Sequence, residues 1–390
     1  MSERIEKYFE NPQTRVRRIV LFAIVSVFLS RGIIFLMYEI YASVYSESAG
    51  TWLQELNTWD TGWYRTIINK GYYEAAEAGK SQANWAFFPL LPLIVRGIHQ
   101  LTGLEATLIA TIMNTILLIG IVMIAFAYIY ETRKSAVQAF CVGLIFTFGA
   151  YSFYFSILYS ESLYLILLLI TLFALERREY LLMGLAGAFL SATRNTGIMV
   201  VFAVGVKVIM NYIEDQKERK KSLPDFLKYV FGDWKLVLGV CMIPAGLFAF
   251  MAYLGMRMGD PLSFLHVQTA WGGQTGNPFV VLGRALMKGD FGDLYLAVWA
   301  LAGLGITVFL IWKKHLHEAV LALILLLIPM SVRLQSMPRY FIGSGIFVWG
   351  AAELFYAKKI RFLMPVLVTG LAIMEFWCLW QWFANNSLMV

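Results

Sequence analysis

The sequence predicts an all-α polytopic membrane protein in a single domain, residues 1–390, and three observations carry that expectation. Hydrophobic residues make up 59% of the chain and charged residues 15%, with a mean hydropathy of +0.66, which no soluble core accommodates. Apolar runs recur along the whole length with no long Pro-, Gly- or Ser-rich linker between them. The basic residues behind the net charge of +7 gather in short clusters between those runs instead of sharing one face. That is the pattern of a chain partnered by a lipid bilayer, not by nucleic acid.

Residues 1–18 are polar and end in Arg15, Arg17 and Arg18, which marks a cytoplasmic N-terminus. The first apolar run, 19–45, is longer than the apolar part of a signal peptide and lacks a small-residue cleavage site, so it is expected to stay as an anchor. It delivers residues 46–103 to the external face. Within them, 46–85 carries Glu47, Glu55, Asp60, Glu74 and Glu77 against Arg65, Lys70 and Lys80, a net acidic loop. Residues 86–101, interrupted by Pro89, Pro92, Arg96 and His99, read as an interfacial or partly inserted helix.

Residues 104–130 return to Arg133 and Lys134, and 137–157 go out. A tight external turn follows at Tyr159-Ser160-Glu161-Ser162, and 163–175 come back to Arg177 and Arg178. The run 181–213 corresponds to roughly 50 Å of helix against a hydrocarbon core of about 30 Å, too long for one straight span. It is broken by Ser191 to Gly197 and is basic at both flanks, so two short helices meeting at Arg194 are expected. Residues 214–235 read as a basic cytoplasmic linker and 257–292 as a second external loop. The spans 236–256, 294–312, 319–332, 341–356 and 362–383 bring the count to about eleven. Cys141, Cys241 and Cys378 lie far apart inside apolar runs and read as packing residues.

The chemistry concentrates in 59–92. Trp59, Trp63 and Ile67 recur every four residues, one face of a short helix suited to the headgroup region, with Asp60 in its first turn and Tyr64 one turn on. Asp60 either complements the helix dipole behind a cap at Asn57 or Thr58, or is a carboxylate displayed for reaction. Arg194, costly between two apolar helices, serves a bound anion or pairs with a buried carboxylate such as Glu161. Arg339, beside Tyr340 at an external helix end, binds an anion or snorkels. Arg65 meets phosphate or pairs locally. Glu161 orients an acceptor, binds a cation or simply sits in a helix turn. His266 in the second external loop is a catalytic histidine or an ordinary loop residue, or with Gln268 and Trp271 it lines a sugar pocket. No clustered spacing demands a metal; a divalent cation is compatible with the sequence but not indicated by it.

Trp59-Asp60 through Gly71-Tyr72, Trp85 to Pro92, Tyr159-Ser160-Glu161-Ser162-Leu163-Tyr164, Ser191 to Gly197, Gln268 to Trp271 and Arg339-Tyr340 together resemble PIG-V, the second mannosyltransferase of glycosylphosphatidylinositol-anchor assembly, and its prokaryotic relatives. The resemblance implies a GT-C superfamily bundle that takes a sugar from a polyprenyl-phosphate donor on the non-cytoplasmic face, with an Asp of the first external loop, here Asp60, as general base. A base near the acceptor hydroxyl and cations near the departing phosphate are what that chemistry needs. Arg194, Arg339 and Arg65 are then the donor-phosphate candidates. Trp59, Tyr64, Glu161, His266, Gln268, Trp271 and Tyr340 are the substrate-binding ones. The compact chain lacks large external insertions, which fits a prokaryotic plasma-membrane enzyme acting on a lipid, glycan or protein acceptor. The rival class is a transporter or lipid-linked-sugar flippase, for which broken helices and an intramembrane Arg are also typical.

Overall fold

The computed structural model describes residues 2–45, 50–73, 82–216, 222–271, 276–356 and 361–389, and among these the regular structure is helical, with no strand. Six helices are long and apolar enough to cross a membrane: Pro12–Val44, Ala106–Arg133, Asn195–Asp215, Trp234–Met258, Phe291–Trp312 and Met364–Phe383. Four shorter apolar ones, Ala136–Phe148, Tyr180–Thr193, Leu316–Met330 and Ile346–Phe355, join them. With Glu161–Glu176 they match the eleven segments expected of a multi-pass membrane protein. Of the charge pattern, Glu47, Glu74, Glu77, Lys80, Lys217, Arg219, Lys220, Lys221, Lys358 and Lys359 lie outside the described residues.

Local chemistry sets several boundaries. The polar N-terminus is itself helical at Ser2–Glu10, and the long helix then starts at Pro12. There the Asn11 side chain accepts the Gln13 N–H at 3.0 Å, and proline suits the first helical position. The stretch expected as linker, 214–235, contains the helix Leu223–Gly232 capped by Ser222, and the second loop contains Pro278–Lys288 capped by Asn277. The interfacial helix expected at 86–101 runs Leu90–Thr102 after a short turn at Asn84–Ala86.

The expected span 137–157 is a single helix only as far as Phe148. Tyr151 takes a left-handed φ of 67°, and a tighter turn, Ser152–Ser156, follows. The freed backbone groups are satisfied by partly buried Arg31 and buried Glu375 from two neighbouring apolar helices. Arg31 donates to the carbonyls of Thr147 at 2.9 Å and Ser152 at 3.0 Å. Glu375 accepts the N–H groups of Ser152 at 3.2 Å and Phe153 at 2.9 Å. Broken backbone inside a bilayer is tolerated only where such partners satisfy it. The segment so held leads directly into Tyr159, Ser160 and Glu161. Around it, Phe153, Tyr154 and Tyr159 pack on Trp382 with ring centroids 4.9 to 6.2 Å apart.

At the opposite end of the bundle, Arg133 closes the Ala106–Arg133 helix and bonds both Glu318 and Glu353, tying three helices together. All three cysteines are free; Cys141 and Cys378 are buried as packing residues should be, but Cys241 is exposed.

Candidate active site

Asp60 does not sit inside the first turn. It occupies the position just before the helix Thr61–Lys70, and its side chain makes no capping hydrogen bond. Trp59 adopts φ 54°, a left-handed backbone that removes it from the helical register, so the expected Trp59, Trp63 and Ile67 face does not form. Ile67 is buried in the protein, Trp63 stacks on Phe87 at 6.1 Å, and Trp59 is exposed. Asn57 is likewise no cap for this helix. Its side chain donates to the Leu53 carbonyl at 3.0 Å and accepts the Leu158 N–H at 2.7 Å, pinning the loop to the segment before Glu161. The Asp60 N–H donates to the Tyr159 hydroxyl at 2.9 Å, a second pin between the same two stretches.

Released from capping, the Asp60 carboxylate meets a cation from far along the chain. Arg339 Nη1 donates to Asp60 Oδ2 at 3.0 Å, and the same guanidinium pairs through Nε with Glu161 Oε1. Arg194 Nη2 pairs with that same Glu161 oxygen. The result is an alternating chain, Asp60 to Arg339 to Glu161 to Arg194, formally neutral. Its exposure is graded: the Glu161 side chain is 0% exposed, Arg339 13%, Arg194 15% and Asp60 25%. The carboxylate at the end of the chain is therefore the one that faces outward.

Each member is placed by a local break. Arg194 is extended, at φ −155° and ψ 150°, between the helix Tyr180–Thr193 and the turn Asn195–Met199. A Cβ on Gly197 would stand 2.3 Å from the Leu190 carbonyl oxygen, so this return of the backbone requires glycine. Arg339 rides on the short helix Met337–Ser344, which ends at Gly345 with φ 70°. Arg194 Nε also donates to Ser160 Oγ at 2.8 Å, and the Tyr64 hydroxyl donates to the same oxygen at 3.2 Å. Aromatic faces cover the cations: Arg339 lies 4.6 Å from the Tyr159 ring centroid, and Arg194 lies 5.6 Å from Tyr164 and 6.0 Å from Tyr340. Thr58 Oγ1, Thr61 Oγ1, Glu161 Oε2 and Ser162 Oγ are buried polar atoms without a hydrogen-bond partner among the described residues.

The structure thus gathers Asp60, Tyr64, Glu161, Arg194, Arg339 and Tyr340 in one place. Arg65 is exposed and has no ion pair among the described residues; Glu47, Glu74 and Glu77 of the same loop lie outside them. His266 is tied to Asp260 at 2.7 Å, and Gln268 is exposed; neither bonds to the four-residue chain. Burial disfavours the Asp260 carboxylate, but hydrogen bonds from His266 and the Leu262 N–H outweigh that and hold it below its ordinary range. The Trp271 side chain lies outside the described structure. Among the described residues no group of three or more His, Cys, Asp or Glu side chains is arranged to hold a metal ion. Sequence reasoning passed over Tyr159 and Ser160 as site residues, although both lie beside Glu161 in a quoted motif.

With this geometry in view, residues 38–264 match the family described as Mannosyltransferase (PIG-V). No curated protein matches the chain. Similar solved structures include ArnT from Cupriavidus metallidurans bound to undecaprenyl phosphate, 12% identical with a TM-score of 0.49 over 93% of this chain and 76% of that one. Two structures of the Archaeoglobus fulgidus oligosaccharyltransferase are also similar. The one with zinc and sulfate is 10% identical, TM-score 0.42, over 83% of this chain and 48% of that one. The one tethered to an acceptor peptide containing the NVT sequon is 12% identical, TM-score 0.42, over 93% and 55%. The chain therefore spans about half the length of the archaeal enzyme.

Proposed function

The chain belongs to the mannosyltransferase family of PIG-V, and from that premise we propose that it moves a mannosyl group from a polyprenyl-phosphate donor to an acceptor hydroxyl, with Asp60 as general base. It is a membrane glycosyltransferase, and the face opposite its N-terminus is where we assign the reaction. The observation that carries the reading is the chain Asp60, Arg339, Glu161, Arg194, in which the outermost residue donates its backbone N–H to the Tyr159 hydroxyl and its carboxylate meets one guanidinium.

The acceptor oxygen attacks the anomeric carbon as the bond from that carbon to the phosphate oxygen breaks. The acceptor proton passes to Asp60, and the electron pair of the broken bond leaves with the lipid phosphate. A base within hydrogen-bond reach contributes about 10²- to 10⁴-fold. Arg339 and Arg194 supply fixed positive charge where the phosphate develops negative charge, in a site partly shielded from water. Arg339 contacts both Asp60 and Glu161, so a phosphate drawing its guanidinium away leaves Asp60 free to accept a proton while Glu161 keeps Arg194. Arg65, exposed one helical turn beyond Asp60, extends the positive surface toward the lipid. Half-buried Tyr340 and exposed Trp59 provide aromatic surface for the sugar and its lipid, while buried Tyr64 steadies Ser160 from behind.

Proteoliposomes holding the full chain, labelled polyprenyl-phosphate mannose and a panel of lipid, glycan and protein acceptors test this. Label is expected to appear on one acceptor class with release of polyprenyl phosphate. Movement of the intact donor across the vesicle without transfer establishes a flippase instead and overturns the proposal.

A further inference from the structure

We infer that the cleft between the N-terminal helix, the first long helix and the helix Ala136–Phe148 seats an anionic phospholipid of the leaflet on the side away from Asp60. The cleft has a volume of about 590 Å³. It lies far from the candidate active site, since Arg18 at its mouth precedes Val44 by about 39 Å along one continuous helix.

The cleft is built as a head and a tail. At the head stand Arg4 and Arg18. Arg18 lies 4.4 Å over the Tyr8 ring and donates through one nitrogen to the Tyr8 carbonyl, which orients the guanidinium without neutralising it. Arg4 is exposed and has no ion pair among the described residues. Glu3, on the same short helix, does not line the cleft, and Glu6 is already engaged. It accepts Ser135 Oγ at 2.8 Å and the N–H groups of Ala136 at 3.0 Å and Val137 at 3.1 Å, which fixes the short helix across the start of its neighbour. The positive charge at the mouth is thus left without a carboxylate partner.

Below the head runs an apolar lane. Leu21, Val25 and Leu29 on one helix and Phe140, Leu144 and Phe148 on the other recur every four residues and line it. The lane is about 12 Å long by helical rise. Phe22 forms its floor, 4.6 Å from Phe140, over Gly143, where a Cβ would meet the Phe22 ring at 2.6 Å. Leu21, Val25 and Leu29 are each more than half exposed, so the lane opens toward lipid. Two cations at the interface above an apolar lane along the membrane normal complement a phosphate bearing an acyl chain. A free phosphate would leave the lane unused, and a neutral lipid would leave the arginines unused.

Native mass spectrometry on full-length protein extracted from nanodiscs of equal phosphatidylglycerol and phosphatidylcholine tests the inference. One retained phosphatidylglycerol is expected, preferred over phosphatidylcholine by about thirtyfold, from two arginines each contributing about fivefold near the membrane surface. Arg4→Gln with Arg18→Gln is expected to keep a lipid but lose the preference. Val25→Trp, which fills the lane while leaving both arginines, is expected to lose the lipid of either kind. Equal retention of the two lipids by the natural protein, a preference that survives the double substitution, or a lipid retained by Val25→Trp overturns it.

Discussion

Glu161→Gln is the substitution whose consequences the structure specifies most fully. Glu161 is completely buried, and Arg194 and Arg339 both donate to its Oε1. Replacing the carboxylate by an amide removes the only negative charge between two guanidiniums. Two like charges roughly 5 Å apart at an effective dielectric of about 20 repel by about 3 kcal/mol, and breaking a buried ion pair costs about 3 to 5 kcal/mol by mutational experience. The two estimates overlap, so with an unfolding entropy of about 2 cal/mol/K per residue a drop in thermal midpoint of about 4 to 6 °C is expected in detergent-solubilised protein. The four-residue chain also passes from formally neutral to positive, which makes the site a better anion receptor. Added polyprenyl phosphate is therefore expected to raise the midpoint of the variant more than that of the natural protein. Thermal unfolding with and without polyprenyl phosphate reads both effects. A variant with an unchanged midpoint and an unchanged response to the lipid phosphate refutes the role of Glu161 as the charge that holds the two arginines.

Arg339→Gln removes the cation shared by Asp60 and Glu161 and is expected to lower kcat/KM for transfer by about 10²- to 10³-fold at equal folded abundance. Gly197→Ala places a methyl against the Leu190 carbonyl, a backbone atom that cannot swing aside. Arg194 must then shift, and the donor KM is expected to rise by about tenfold, the effect of a small misplacement, while the acceptor KM changes less. Trp59→Val puts a β-branched residue at φ 54° and is expected to reduce transfer more than Trp59→Gly, which accepts that backbone freely; equal losses in the two variants would assign the effect to the indole alone.

The sequence carried much of this. Excess helix length between basic flanks located the break at Arg194, and the structure places an extended residue there. Apolar length and composition anticipated the membrane helices. What periodicity cannot express is which charge meets which. Arg339 is 279 residues from Asp60 and 178 from Glu161. Read locally it is a helix-end residue beside a tyrosine, and Glu161 is a turn carboxylate. Only tertiary packing makes them neighbours. The same limit hid Arg31 and Glu375, single charges inside long apolar runs, whose partners are the backbone and serine hydroxyls of the break after Phe148. Spacing alone left Asp60 open between a helix-dipole residue and a reactive carboxylate; the structure puts it at the position before the helix, with its side chain free of a capping bond and turned to Arg339.

The central claim is that Asp60 accepts the acceptor proton, and Asp60→Asn tests it with little change of shape. The amide retains the size of the side chain and can still accept a bond from Arg339, so folded abundance and donor binding are expected to hold. Transfer from labelled polyprenyl-phosphate mannose in proteoliposomes is expected to fall by about 10³-fold in kcat, within the range for loss of a general base. An Asp60→Asn protein that transfers mannose at the natural rate, at equal folded abundance, contradicts the assignment.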